Sequence, residues 1–383
     1  MLQHTRLIPR PNSTLLPSSA RRLRIPIGCL VAVLSLLILT GGRAMGETSY
    51  APPWPGLPSL PCVLSHTSPA GYQAGCIEYP AEWGGAAQAG VAGSGRAQQW
   101  TRIPLTILAT HVAVGYSWLD PSPDPPNPGK SHAPFDIWAW MVSPDGSAHN
   151  YGDSPLIRVR TVAFGAVPVE AALQVSQRRD AHGLPKPLHA YQDSGSLNHL
   201  DPRVAGQDRA YVDPAQFDSP VTLVVKSLKV DGIDARLRDG CSTGTPARLQ
   251  LTSPALVGNP ASSSSRGTFD QAKGFAGTLG GTLTGNLAIP AFGSCRTASG
   301  EDLGRLLTAA ISGPDNPVTV RLGTYSCFDV DLTTYMLIPP APGENTPEKA
   351  HCYEWFPDDD PYPNHRPKIR IVPDPLEIPT TAP

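Results

Sequence analysis

Trp138 and Trp140 sit two residues apart in the run Phe135-Asp136-Ile137-Trp138-Ala139-Trp140-Met141. In an extended strand both indoles fall on one face, roughly 6.6–6.8 Å apart, a spacing that suits a flat platform for stacking a sugar ring. Ile137, Ala139 and Met141 make the opposite face apolar as well, the pattern of a strand buried on both sides. The pair is therefore read both as a ligand-binding candidate and as core. Asp329 and Asp331 share a strand face, and Asp358-Asp359-Asp360 is a compact acidic patch. Calcium takes oxygen ligands of this kind, but neither group has the spacing of an EF-hand loop, and no metal site is assigned. His111, His182, His189 and His199 lie among many Ser and Asp residues, from which folding could assemble a hydrolytic triad. No G-x-S-x-G elbow, H-E-x-x-H helix or phosphate-binding glycine loop is present. No catalytic residue and no cofactor follow from these residues, and the reading leans to a protein that is not an enzyme.

The seven cysteines depend on the compartment. Arg21, Arg22 and Arg24 precede an apolar run from Cys29 to Leu39, and Ala44-Met45-Gly46 offers a small-x-small cleavage site, so residues 1–46 read as a signal peptide. The strongly apolar stretch ends at Thr40, short of the roughly 20 residues of a spanning helix. An uncleaved N-terminal anchor is the alternative, and the membrane is implicated only through it. Either way the bulk of the chain is expected outside the cytoplasm, secreted or at the cell surface. There Cys62, Cys76, Cys241, Cys295, Cys327 and Cys352 form an even set of disulfide candidates. Proximity favours Cys62 with Cys76 and Cys295 with Cys327, leaving Cys241 for Cys352. Six of the chain's 30 Lys and Arg residues fall in the first 46, which hold no acid, so the remainder carries 24 basic against 32 acidic residues. That balance gives no footing for nucleic acid.

The elements that would position these residues are mostly strands. Val167, Val169, Ala171, Leu173 and Val175 alternate with more polar neighbours, Ile157 to Ala163 alternates likewise, and Gly165-Ala166 supplies a turn between them. Val221 to Val230 turns at Asp231-Gly232, a dipeptide suited to the positive φ angles of a tight hairpin, and returns through Ile233 to Leu237. Leu279, Gly281, Leu283, Gly285, Leu287 and Ile289 share a face of another strand, whose glycines predict a bulge or a backbone lying close. One helix stands out: Leu303, Leu306, Leu307, Ala310 and Ile311 have helical spacing, Ser299 can cap the start, and Gly313-Pro314 ends it. It is expected to lie in a loop closed by Cys295 and Cys327, plugging one end of a sandwich or barrel.

Residues 120–134 hold six prolines, 193–220 contain little apolar residue, and 339–383 hold 12 prolines. Such stretches separate cores. The expected organisation is all-β: two β-sandwich-like domains, 47–200 and 215–338, cross-linked by disulfides and carrying one short helix, followed by a Pro-rich tail, 339–383. Within that tail His351 to Phe356 is expected to dock back on the body.

The stretches AVGYSWLD at 113–120, VRTVAFGAVPV at 159–169, GGTLTGNLAIPAFGSC at 280–295 and EDLGRLLTAAISGPDN at 301–316 resemble a group of uncharacterised secreted proteins of actinobacteria. The resemblance implies an exported all-β envelope or extracellular protein, and carries no activity or site residues with it. Two functions remain as expectations. One is a non-enzymatic binding or structural module facing a cell-surface glycan or another envelope protein. The other is an exported hydrolase of glycosidase or esterase type, its site assembled from distant Asp, Glu and His residues.

Overall fold

The computed structural model describes residues 82–114, 129–144, 151–163, 166–197, 209–258, 269–270, 272–323 and 372–383, with short strands at 49–50, 60–61, 118–119, 329–331 and 336–338. The protein is mostly β. Eight strands, numbered here along the chain, form its centre: β1 (Glu82–Ser94), β2 (Gln99–Val114), β3 (Phe135–Met141), β4 (Leu188–Gln192), β5 (Gln216–Val230), β6 (Ala247–Thr252), β7 (Gly281–Ile289) and β8 (Gly313–Leu322). Each pairs antiparallel with the next, and β8 returns to pair with β1, Val320 opposite Gly90. The result is a closed up-and-down barrel, which leaves none of the eight as an open sheet edge.

The all-β class matches expectation; the architecture differs from two sandwiches. The segment expected as the first domain supplies β1 to β4, the segment expected as the second supplies β5 to β8, and all eight belong to one compact unit, Thr48–Pro383. Sandwiches and barrels both ask for alternating inward and outward residues, so alternation alone does not separate them. The decision lies in two long-range pairings, β4 with β5 and β8 with β1.

Both expected hairpins form. Strand Ile157–Ala163 pairs with Val167–Gln177, and Val230 pairs with Ile233 across a turn in which Asp231 has φ 50° and Gly232 φ 76°. Gly285 is where another backbone lies close: a Cβ there would collide with the carbonyl oxygen of Gln250 on β6.

β5 is long because it serves two partners. Its first part pairs with β4, at Phe217 opposite Ala190, and its continuation pairs with Val167–Gln177. That hairpin strand and β4 are thus two stretches along one edge of β5, interrupted by the excursion 178–187. Gln177 bridges the interruption, accepting from Met141 N at 2.7 Å and donating to Ala139 O and Lys186 O.

The helix, α1 (Gly304–Ile311), lies between β7 and β8, and its N-cap residue, Leu303, makes no side-chain capping bond. Ser299 does not start it. Residues 297–301 make their own turn, Ser299 Oγ lies 2.7 Å from Thr297 Oγ1, and Asp302 accepts from Gly304 N instead. Leu307 and Ile311 join Phe292, Leu223, Val225 and the hairpin residues Ile157 and Leu173 in a second core beyond one end of the barrel.

Cys241 is bonded to Cys295, which corrects the pairing of Cys295 with Cys327 and of Cys241 with Cys352. Sequence proximity was the wrong guide. The short strands Ser242–Thr243 and Phe292–Gly293 are sheet neighbours, and they bring the two sulfurs together. Cys62, Cys76, Cys327 and Cys352 lie outside the described residues, as do the signal segment and His351 to Phe356. The described end of the Pro-rich tail lies against β2, where Trp100 Nε1 donates to Thr381 O and Arg102 to Leu376 O.

Candidate functional site

Alternation sends Leu108, Thr110 and Val112 of β2 into the barrel together with Ile137, Ala139 and Met141 of β3, and the remaining strands add mainly Leu, Val, Phe and Ala. These side chains leave a cavity of about 190 Å³. Among the described residues, not one Asp, Glu, Lys, Arg or His lines it. A barrel of eight strands is just wide enough for its side chains to fill it, or to hold one small molecule. Here the short side chains Ala86, Ala92, Ala139 and Ala190 leave the interior incompletely filled.

Both ends of the cavity are built from connections between strands. At one end Ile157, Val159 and Leu173 of the hairpin and Ile311 of α1 form its wall. At the other, Phe275 and Gly277 reach in. Gln192, almost fully buried, holds that segment: its Oε1 accepts from Gly277 N at 2.7 Å, and its Nε2 donates to Phe275 O and Asp213 O at 2.9 Å. A buried amide that satisfies three backbone groups fixes a loop as a ladder would.

The tryptophans lie on the other side of the wall. As expected they share a face, since Ile137, Ala139 and Met141 take the lumen. Trp140 is 0 % exposed, packed among Ala87, Ile107, Ala109, Val142 and Tyr151, and its Nε1 donates to Pro185 O at 2.9 Å. Trp138 is partly open, with the His189 ring stacked on it at 5.5 Å and an interplanar angle of 26°. The two indoles therefore present no continuous open surface: what is accessible is Trp138 with His189.

The histidines separate into different environments. His111 is fully buried beside Trp138, and burial lowers its pKa to about 4. His189 Nε2 lies 2.6 Å from Oδ1 of the buried Asp136. His182 is exposed, its backbone N–H on Asp180, and His199 lies outside the described residues. A further pair that sequence reasoning missed is His132 with Asp193, 2.5 Å apart, with Tyr211 O–H donating to Ser131 O. This pair clamps the β2–β3 connection to the β4–β5 connection; no spacing in the sequence signals it, because 61 residues separate the partners. Burial, together with Asp193, Asp136 and Asp213, pushes the nearby Tyr191 phenol up.

The arrangement offers histidine–carboxylate pairs on the outer wall and an uncharged, apolar interior. Among the described residues no three His, Cys, Asp or Glu side chains are grouped to hold a metal. Asp329 and Asp331 form the short strand Asp329–Asp331, and Asp358 to Asp360 lie outside the described residues. No family model, curated protein or solved structure matches the chain. What fold and site define is a class: an up-and-down eight-stranded barrel with an apolar interior. Among the described residues no helix is long and apolar enough to cross a membrane.

Proposed function

We propose that the chain is an exported, non-enzymatic binding protein of the cell surface or extracellular space, and that its barrel interior takes up a small apolar molecule. The observation that carries this reading is the charge-free cavity of about 190 Å³ inside the closed wall. An apolar cavity of ~150 Å³ stays dry and takes up benzene. Water gains little in such a space, whereas a hydrocarbon recovers the dispersion contacts that the short alanines leave unmade. The polar outer face of β5 to β8, with Asp218, Arg248, Gln250, Thr284 and Asn286 exposed, is the reverse of the pattern of a barrel embedded in lipid.

Cyclohexane, followed by saturation-transfer NMR and by the melting temperature, tests the site: it binds and raises the melting temperature, and Ala139→Leu, which fills the space, abolishes both effects. A wild-type protein that shows neither effect overturns the reading. Export is tested separately by fractionation and N-terminal sequencing, which should find the chain outside the cytoplasm and starting at Glu47.

The alternative, an exported hydrolase, has the His189–Asp136 pair as its starting point. Turnover in a broad esterase, protease and glycosidase screen, lost in His189→Ala, would establish it. A glycan or envelope-protein partner would meet the outer wall at Trp138 and His189, and glycan binding lost in Trp138→Ala with the fold intact would support that contact.

A further inference from the structure

Thr110 is a polar residue of the cavity wall with apolar neighbours, Leu108 and Val112 on its own strand and Ala139 across from it. It stands on β2 directly opposite Ala139 of β3, one inward position from Leu108, whose partner on β1 is Ala86. The residues around it on neighbouring strands are thus short, and the space left by the missing side chains adjoins its hydroxyl. Thr110 is 3 % exposed, and its Oγ1 has no hydrogen-bond partner among the described residues. The other buried lining groups are provided for. Thr106 donates to Pro104 O, Ser154 to Pro155 O, and Asn316 to Leu287 O and Gly313 O.

A buried hydroxyl without a partner is costly, and a water molecule is a poor remedy here, because it needs two to four polar partners and the side chains beside Thr110, those of Leu108, Val112, Ala86 and Ala139, offer only hydrocarbon. A carbonyl or ether oxygen is different. It is satisfied by one donor, and the molecule behind it can be wholly apolar. An ionised group is excluded by the same wall: among the described residues no charged side chain lines the cavity, so a carboxylate or ammonium entering it would be buried unpaired.

We infer that the ligand of the barrel is a small uncharged molecule, mostly hydrocarbon, bearing a single oxygen that accepts a hydrogen bond from Thr110. A compact ketone, aldehyde or ether of roughly benzene size or slightly larger fits this chemistry and the space. This rests on the apolar-lumen reading above and specifies its ligand class.

Three ring compounds of matched size separate the two claims: cyclohexane, cyclohexanone and cyclohexanecarboxylate, titrated at neutral pH against the full chain and its Thr110→Val variant. Cyclohexanone should bind about tenfold more tightly than cyclohexane, the effect of one buried hydrogen bond. Cyclohexanecarboxylate should not bind. Thr110→Val is nearly isosteric and should remove the preference for cyclohexanone while leaving cyclohexane affinity unchanged. Equal affinity of cyclohexane and cyclohexanone, binding of the carboxylate, or a preference that survives in Thr110→Val overturns the inference and leaves the lumen reading standing. Failure of all three compounds to bind overturns both.

Discussion

The two halves of the barrel wall share an interior and differ outside. From β5 to β8 the outer face is bare and polar: Asp218 pairs with Arg248 across β5 and β6, and Gln250 stands opposite Asn286 on β7. From β1 to β4 much of the outer face is buried as well, with Ala87, Ile107, Ala109, His111, Asp136 and Trp140 sealed, while Trp138 and His189 remain partly open. The cause is the connection from β3 to β4, which runs from 142 to 187 and lays Tyr151 and Pro185 over the first half. Among the described residues no comparable excursion covers the second half. Alternation is therefore kept where one face meets water and lost where both faces meet protein. A residue's weight in the fold follows which half it stands in.

Substitutions that set one half against the other test this directly. Trp140→Ala should cost about 3–5 kcal/mol in urea unfolding, since it opens a cavity and strands the Pro185 carbonyl. A loss below about 1 kcal/mol would show that the outer core of the first half is not load-carrying in this sense. Cys241 and Cys295 join the β5–β6 and β7–β8 connections over 54 residues, so replacing both with serine should cost about 4 kcal/mol.

His111 tests the burial of the first half through pH. Its pKa is lowered in the folded protein, to about 4 from 6.5, so between those values the unfolded chain binds more protons. Stability contributed by neutral His111 is present above pH 6.5 and is lost as pH falls toward 4, about 3 kcal/mol in all. His111→Phe should remove that component of the pH dependence, read as the difference between the two proteins' unfolding curves across this window. Smallest is the change in the second half. Arg248→Ala, which breaks an exposed pair with Asp218, should leave the urea unfolding midpoint nearly unchanged.

The same contrast explains what was legible. Strands 157–163 and 167–177 and the Asp231-Gly232 turn could be read because each of them has one side facing water and local partners. β1 could not. Its sequence, EWGGAAQAGVAGS, is rich in Gly and Ala, which are depleted from strands on propensity alone. β2 was hidden for another reason: Ile107, Ala109 and His111 face outward yet are buried, so the alternation disappears. The shared face of Trp138 and Trp140 was visible in their spacing, but not the Pro185 carbonyl that seals Trp140 from 45 residues away. The lumen was invisible because its wall is contributed a few residues at a time by eight strands. Gln177 and Gln192 carry no signal in the sequence, and only the breaks they span give them buried partners.

The pairing of β8 with β1 joins residues 88–92 to 318–322. That contact spans most of the chain, and pairings of such separation are slow to form because loop closure must precede them. Under the proposed export, a chain passing a membrane N-terminus first has its opening strand across early and the partner of that strand across late. The wall stays an unclosed ribbon until residue 322 has emerged. Under export, topology thus delays the folded state until translocation is nearly done, and the chain remains threadable for as long as it needs to be threaded.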